Sequence, residues 1–374
     1  MTSNASLPAD RSHLAQGTYL RDTYTVSRLL GRGRFADAYL VRHRYMGMQV
    51  MKLLVDGESE VDRAEGLGEA FLLSKITHPG IVRVFDANRL EPAHGGHPYI
   101  TMEHVSGGTL AELLTDHPDG LILDTALEFG RQIAAALGHA HDLPGGLIHR
   151  DIKPANILLE PLKPSGHAIR VADFGLAIRV NRFTKVAASG GTLVYMSPES
   201  ISGYETAASD VFSAGLVLYE MLTGRLPYPK RALADAKGTG EIKQILQTLH
   251  QSDLAPPSSF DADIPPDVDA VTLRALHPDD VFRFPTGTAL AHSLAACQHA
   301  ARAGSLAKRD ASEESELRDI FRKCICADTA EEAIRRLDVL TARSPEMGRA
   351  YTPQLHQMRI QWHRYRREVS NGRL

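Results

Sequence analysis

Short apolar runs alternate with glycine-containing turns along the first hundred residues. The runs cover residues 24–30, 39–41 and 48–54, and a turn is predicted at residues 31–33 between the first two. Two more strands are predicted at residues 81–85 and 99–102, with a hairpin turn at Gly95 and Gly96 between them. Such short runs are typical of antiparallel strands, so this region predicts a small antiparallel sheet.

A stretch of helical spacing interrupts these strands. Within residues 61–76, the apolar residues Ala70, Leu73 and Ile76 recur on one face of a helix. We therefore expect one helix between the strand at residues 48–54 and the strand at residues 81–85.

After Gly108 the apolar pattern becomes that of helices. Helices are predicted at residues 109–114 and 124–141, the second with Asp124 as its N-cap, and a last core helix at residues 287–301. Residues 211–222 are apolar on nearly all sides, which is typical of a buried helix. The fold class is therefore α+β.

Four segments follow from this pattern. They are a polar, flexible tail at residues 1–17, a small sheet lobe at 18–105, a larger helical lobe at 106–302, and a C-terminal helical extension at 303–374. In the extension, Leu317, Ile320 and Phe321 share one helical face, and Leu355, Met358 and Trp362 share another. Its basic residues could dock a partner or an anionic surface, but narrow apolar stripes and mixed charges favour packing on the chain's own large lobe.

Composition excludes several classes of protein. The net charge is -3, so charge alone implies no nucleic-acid or membrane partner. Residues 1–16 lack the apolar region of a secretory signal, and no apolar run approaches the roughly 20 residues that a transmembrane helix needs. The three cysteines are expected to be free thiols in a reducing compartment. We therefore expect a cytoplasmic location and no transmembrane segment.

The sheet lobe carries two candidate phosphate contacts. Gly31 and Gly33 allow a backbone turn to approach an anion closely, although a glycine turn between strands is more often a plain hairpin. Lys52, in a predicted strand, can contact phosphates if a carboxylate fixes its stem, and Glu69 in the following helix is placed to do so. Each alone is weak, and their order along the chain strengthens both.

The helical lobe carries a more specific pattern. Residues 149–156 read His-Arg-Asp-Ile-Lys-Pro-Ala-Asn, and residues 171–175 read Val-Ala-Asp-Phe-Gly. An acid such as Asp151 can accept the proton of a substrate hydroxyl, while Asn156 and Asp173 can hold Mg²⁺ against a triphosphate. A chance cluster of polar turn residues would rarely produce both motifs in this order.

These motifs resemble those of the protein kinase family over about residues 24–300. Glu199 in Ser-Pro-Glu stands at the family's Ala-Pro-Glu position, Asp210 opens the buried helix, and Arg283 matches the arginine that pairs with Glu199. The pattern is most similar to the bacterial branch of the eukaryotic-type Ser/Thr kinases. The resemblance implies the bilobal protein kinase fold, with the helix at residues 61–76 as helix C.

The resemblance also implies roles for single residues. Asp151 would act as catalytic base, Lys153 would steady the transferring phosphoryl group, and Lys52 would contact phosphates while Glu69 holds it. Asn156 and Asp173 would bind the metal. The residues implied to surround the nucleotide are Gly31, Gly33, Ala38, Val50, Lys52, Met102, Glu103, Val105 and Leu158. A packed spine through Leu73, Val84, His149 and Phe174 would align the lobes. The implied cofactors are ATP and Mg²⁺, with Mn²⁺ as an alternative ion, and the implied partners are proteins with Ser or Thr hydroxyls.

Substrate preference and regulation follow in the same way. Lys153 and Thr192 match the Ser/Thr form of the family. Arg150 directly precedes Asp151, and in this family the charge of an arginine at that position is often neutralised by a phosphate on the activation loop. The resemblance therefore predicts autophosphorylation at Thr184 or Ser189. The alternative for both hydroxyls is that they are ordinary loop residues.

The sequence departs from the family at the nucleotide site. Ala36 replaces the third glycine of the loop, which predicts a weaker phosphate clamp. Ala38 is smaller than the usual residue and Val50 is larger, which predicts a repacked adenine roof of similar volume.

Three alternative functions stay open at this stage. A pseudokinase scaffold would bind ATP and use its C-terminal helices to bind a partner. A small-molecule kinase would lack the peptide-docking platform that is built by Thr192, Glu199 of Ser-Pro-Glu, Asp210 and Arg283. Finally, the extension itself could be the functional element of a non-enzymatic interaction protein.

Overall fold

A computed structural model describes residues 14–32, 36–54, 76–174, 193–228 and 239–303 of the chain. The chain divides into two compact units, Met1–Gln298 and His299–Leu374. In the second unit only residues 299–303 are described, and they are helical. The predicted helix C, apart from Ile76, and nearly all of the predicted extension lie outside the described residues, so both stay predictions.

Six strands of the first unit form one antiparallel sheet, as predicted. They are β1 (Tyr19–Leu20), β2 (Tyr24–Arg32), β3 (Ala36–His43), β4 (Gly47–Leu54), β5 (Val84–Arg89) and β6 (Pro98–Glu103). Their order in the sheet is β1-β2-β3-β4-β6-β5. The sheet is therefore a meander with one exchange of neighbours at its far edge.

Along each strand, side chains point alternately to the two faces of this sheet. On one face Tyr39, Met51 and Tyr99 are fully buried in an apolar core. Val50 and Lys52 alternate with those core positions along β4, so they lie on the opposite face. Leu14 also packs into the core, although the sequence placed it in the flexible tail.

Two strand boundaries differ from the sequence predictions. Gly31 and Arg32 continue β2, so the predicted turn does not begin at residue 31. The apolar run at residues 81–85 is not one strand, because Ile81 forms an isolated parallel bridge with Val171 and β5 begins only at Val84. The apolar run at residues 81–85 therefore contributes to two sheets, the β7–β8 hairpin through Ile81 and the six-stranded sheet through Val84.

Helices dominate the rest of the unit. They are α1 (Leu110–Asp116), α2 (Leu123–His141), α3 (Pro198–Ile201), α4 (Ala207–Thr223), α5 (Thr239–His250), α6 (Pro266–Ala275) and α7 (residues 287–298 in this unit). Strands β7 (Ile157–Pro161) and β8 (His167–Val171) form a separate antiparallel hairpin. No helix in the described part of the chain has the length and apolar character to cross a membrane.

Helix α4 is the centre of this helical lobe. It is buried on nearly all sides, as predicted, and packs against α2 and α6. It ends at Gly224, whose φ of 67° lies in the left-handed region that glycine adopts without strain. A helix buried in this way is a rigid base for the residues that approach it.

Helix starts correct one further expectation. Helix α2 begins at Leu123 with Ile122 as its N-cap residue, so Asp124 lies in the first turn instead of capping it. There its negative charge still complements the helix dipole. Helix α1 does carry a capping box, in which Thr109 and Glu112 each accept a backbone N–H of the other.

Candidate active site

The β7–β8 hairpin brings the two acidic motifs together. The loop that contains Asp151 leads directly into β7, and the segment that contains Asp173 follows β8. The strands pair with Ile157 opposite Val171, and the Ala172 N–H donates to the Asn156 carbonyl at 2.8 Å. The hairpin register therefore places residues 151–156 beside residues 172–174.

Asp151 is held by two neighbours from its own loop. The Lys153 ammonium contacts both carboxylate oxygens, at 3.1 and 2.8 Å. The Asn156 side-chain amide donates to the Asp151 carbonyl at 2.7 Å and to its carboxylate at 3.0 Å. These bonds fix the direction of the carboxylate and leave it partly exposed to a substrate.

Asp210 fixes the backbone that precedes Asp151. Its carboxylate is 1% exposed and accepts the backbone N–H groups of His149 at 2.6 Å and Arg150 at 2.7 Å. Arg150 has a φ of 75°, an unfavourable conformation for a residue with a side chain. The bonds from Asp210 therefore hold the loop in a shape that it would not adopt alone.

His141 supplies a further partner for Asp210. The Gly287 N–H donates to His141 Nδ1 at 3.1 Å, so the ring proton is on Nε2, which lies 3.0 Å from an Asp210 oxygen. The imidazole is then neutral, and its contact with Asp210 is a hydrogen bond. Sequence reasoning missed His141, because a histidine near a helix C-terminus looks like an ordinary surface residue.

His149 links this loop to Phe174. Its Nε2–H donates to the Ala172 carbonyl at 2.8 Å, and its ring meets the Phe174 ring edge-on at 4.5 Å. Complete burial lowers the pKa of His149, so it stays neutral. Of the predicted spine, His149 and Phe174 are in contact, Phe174 and Val84 line one cavity, and Leu73 lies outside the described residues.

Lys52 reaches from the sheet lobe to Asp173. The Lys52 ammonium forms an ion pair with the Asp173 carboxylate. Burial raises the pKa of Asp173, but the Lys52 charge outweighs this and keeps the pKa below its usual value, so the carboxylate stays ionised. Asp173 also has a positive φ, of 65°. The predicted partner Glu69 lies outside the described residues, so its pairing with Lys52 stays a prediction.

Strand register gathers the predicted nucleotide contacts of the sheet. Gly31 pairs with Ala38, and Ala38 pairs with Lys52, across three neighbouring strands. Val50 pairs with Met102 on the next strand. These positions therefore form one continuous surface on the face that carries Lys52.

The connection between the lobes lies against β7. The Gly107 N–H donates to the Leu159 carbonyl at 3.0 Å, and the Leu159 N–H donates to the Gly108 carbonyl at 2.9 Å. Leu158 lies in the same strand, opposite Thr109. Glu103 ends β6 and Val105 follows it, so the predicted adenine contacts and the predicted adenine floor flank this connection.

Several predicted residues cannot be placed in the site. Those outside the described residues are Gly33, Glu69, Thr184, Ser189 and Thr192. In contrast, Glu205 was missed by sequence reasoning, although its carboxylate lies 3.1 Å from Arg150 Nε. Its position before α4 carries no chemical pattern that could have revealed it.

Comparisons with known proteins agree with this arrangement. The family described as "Protein kinase domain" matches residues 24–333. Serine/threonine-protein kinase PknB of Mycolicibacterium smegmatis is 36% identical over 278 residues, which cover 71% of this chain and 41% of that protein. A probable serine/threonine-protein kinase of Streptomyces coelicolor is 33% identical over 282 residues, 73% of this chain and 40% of that protein.

A solved structure supports the same fold. The crystal structure of the Mycobacterium tuberculosis PknI kinase domain superposes with a TM-score of 0.56 at 26% identity, covering 76% of this chain and all of that one. The chain spans about two fifths of the length of the curated relatives that it matches. Since the family match covers most of the sequence, the chain belongs to the protein kinase family.

Proposed function

We propose that this chain transfers the γ-phosphoryl group of ATP to serine or threonine hydroxyls of proteins. The observation that carries the proposal is the convergence of Asp151 and Asp173 on one hairpin, with Lys52 of the sheet lobe bound to the second acid. The relatives described above are named serine/threonine-protein kinases, which favours the same activity and hydroxyl substrates.

The residues present suit a divalent ion that is shared with a nucleotide. Asp173 offers an ionised carboxylate and Asn156 an amide oxygen, and oxygen atoms are the ligands that Mg²⁺ prefers. Among the described residues no cluster of three or more His, Cys, Asp or Glu could hold a metal by itself. Mg²⁺ is commonly bound by one or two side chains plus substrate phosphates, so this small donor set fits it. We propose Mg²⁺ as the working ion, with Mn²⁺ as an alternative.

The chain's own residues would divide the remaining work. Asp151 orients the attacking hydroxyl and accepts its proton, since its carboxylate is held in place yet accessible. Lys153, already bound to Asp151, places a positive charge beside the site of transfer. Lys52 keeps Asp173 ionised and oriented. When bound, the divalent ion would neutralise charge on the phosphate oxygens.

A transfer assay tests the proposal directly. Labelled ATP, Mg²⁺ and a general protein substrate are incubated with the intact chain, with Asp151→Asn and with the exposed-residue control Asp142→Asn. We expect labelled serine and threonine with the intact chain and the control, and a loss of at least about hundredfold for Asp151→Asn. If the intact chain gave no more label than Asp151→Asn, the proposal would be excluded.

A binding measurement separates the alternatives. A pseudokinase scaffold would show a rise in melting temperature with ATP but no transfer, and label on a small molecule alone would indicate a small-molecule kinase. Autophosphorylation at Thr184 or Ser189, docking through residues 303–374 and a cytoplasmic location remain part of the proposal, and mass spectrometry of the reacted chain tests the first of these.

A further inference from the structure

Arg150, the residue directly before Asp151, forms an ion pair with a carboxylate of the fold itself, that of Glu205. Its Nε lies 3.1 Å from Glu205 Oε2, and the two side chains are 32% and 15% exposed. A carboxylate that is mostly buried beside a guanidinium interacts more strongly than an exposed pair, because solvent screens it less.

Arg150 and Glu205, the two partners of this ion pair, are held by different parts of the lobe. The Arg150 backbone is fixed by Asp210 in its strained conformation. Glu205 directly precedes Thr206, the N-cap residue of α4, whose backbone N–H donates to the Ser209 hydroxyl at 3.0 Å. Because α4 is the buried centre of the lobe, Glu205 is presented from a rigid element.

The pair shares a cavity with the candidate base. Arg150, Asp151, Tyr195, Glu205 and Asp210 all line one cavity between the loop at residues 148–152 and the start of α4. Any change in the direction of the Arg150 side chain therefore acts within a few bonds of the Asp151 carboxylate.

We propose that Glu205 is a positioning residue whose carboxylate supplies the counter-charge that holds Arg150, so that the chain is active without a phosphate in residues 175–192. This inference rests on the proposed kinase function. Glu205 would thus neutralise the Arg150 charge, a role that the sequence predicted for an activation-loop phosphate. Phosphate on Thr184 or Ser189 would then add to the counter-charge that Glu205 already supplies to Arg150.

The main test compares variants after treatment with a protein phosphatase, with the absence of phosphate verified by mass spectrometry. The treated intact chain is expected to keep kcat within about twofold of the untreated one, whereas Glu205→Gln loses about tenfold or more, as expected for a lost charge-assisted contact. The KM for ATP should stay within about twofold, since Glu205 does not line the nucleotide surface.

Two sets of matched variants separate charge from structure. Glu128→Gln removes the carboxylate of another ion pair, with Arg131 at 2.5 Å on α2, and should leave kcat unchanged. Glu205→Asp and Glu205→Asn have nearly the same size, but only Asp keeps the negative charge and both acceptor oxygens, so Asp should retain more activity than Asn even if Glu205→Gln folds poorly. Equal rates for Asp and Asn, or an intact chain that falls to the Glu205→Gln rate on dephosphorylation, would overturn the proposal.

A second readout does not depend on activity. Hydrogen–deuterium exchange of residues 148–153 should be faster in Glu205→Gln than in the intact chain, and unchanged in Glu128→Gln. If the intact chain were as inactive as Asp151→Asn, the kinase function would fail while this measurement still decided the role of Glu205. Unchanged exchange in Glu205→Gln would count against that role.

Discussion

The Arg283 guanidinium and the Glu199 carboxylate meet through two parallel contacts, of 2.7 and 2.9 Å. Arg283 also donates to the carbonyl oxygens of Ala208, His277 and Pro278. Burial raises the pKa of Glu199, but Arg283 outweighs this and keeps the pKa below its usual value. One fully buried arginine thus joins the segment after α6 to the start of α3 and α4.

Replacing Arg283 by leucine should destabilise the chain by about 3–5 kcal/mol, because Glu199 would lose its opposite charge and three carbonyl oxygens would lose a donor. Urea denaturation followed by circular dichroism measures this loss.

Arg131→Leu is the matched control. Arg131 also pairs with a glutamate, Glu128, but its side chain is 36% exposed. The expected loss is at most about 1 kcal/mol, since water replaces the partner. Similar losses for the two variants would contradict a special role for the buried pair.

Asp210→Asn should lower kcat by about tenfold or more with little change in the KM for ATP. An asparagine has one acceptor oxygen and one NH₂ group, so it cannot accept from the backbone of both His149 and Arg150 and from His141. The strained Arg150 backbone would then relax and move Asp151. Steady-state kinetics with a peptide substrate measures the effect.

Asp142→Asn serves as control for that variant. Asp142 is exposed and its carboxylate accepts the Thr288 hydroxyl at 2.7 Å. An asparagine oxygen can accept the same hydrogen bond. Its kcat should equal that of the intact chain, and a matching fall in both variants would show that the loss is not specific to the loop.

Gly107→Ala should weaken nucleotide binding by about five- to tenfold. A Cβ atom at this position would overlap the Leu159 carbonyl oxygen to which the Gly107 N–H donates, so the connection must move away from β7. Titration with ADP and Mg²⁺ by calorimetry gives the change, which corresponds to about 1 kcal/mol. Gly240→Ala, where a Cβ meets open space, should bind as the intact chain does. Unaltered affinity in Gly107→Ala would show that the adenine contacts do not depend on this connection.

His250 should make the fold sensitive to acid. Its ring is 3% exposed, between Phe212 at 5.1 Å and Tyr228 at 5.4 Å. Burial, with the nearby Arg283 charge, lowers the pKa of His250 from 6.5 to about 4. Between these values the unfolded chain binds a proton that the folded chain does not, so stability falls as the pH drops. The expected loss from this group is about 3 kcal/mol.

His250→Phe keeps a ring in that place without the titration. Its free energy of unfolding, measured by urea denaturation from pH 7 to pH 4, should fall less steeply than that of the intact chain. His149 remains and acts in the same direction, so the dependence shrinks and does not vanish. An unchanged slope in His250→Phe would rule out the assignment.

Local patterns in the sequence were enough to predict the α+β class, the antiparallel sheet and the buried helix α4. Each depends on the period of apolar residues, which burial imposes on a strand or helix wherever it lies. The motifs around Asp151 and Asp173 could also be recognised in the sequence, because each is a short run of consecutive residues. Only the paired strands β7 and β8 and their short loop separate the two motifs along the chain.

Only the folded chain decided which distant groups meet. Sequence spacing alone did not reveal that Glu205 faces Arg150, that His141 shares Asp210 with the catalytic loop, or that Ile81 bridges to Val171 instead of continuing into β5. These contacts join residues that are far apart along the chain, and they depend on the side chains that happen to be brought opposite one another by packing around α4. The sequence alone thus identified the residue types that can carry out phosphoryl transfer. The charges and hydrogen bonds that hold those residues in place depend on tertiary packing.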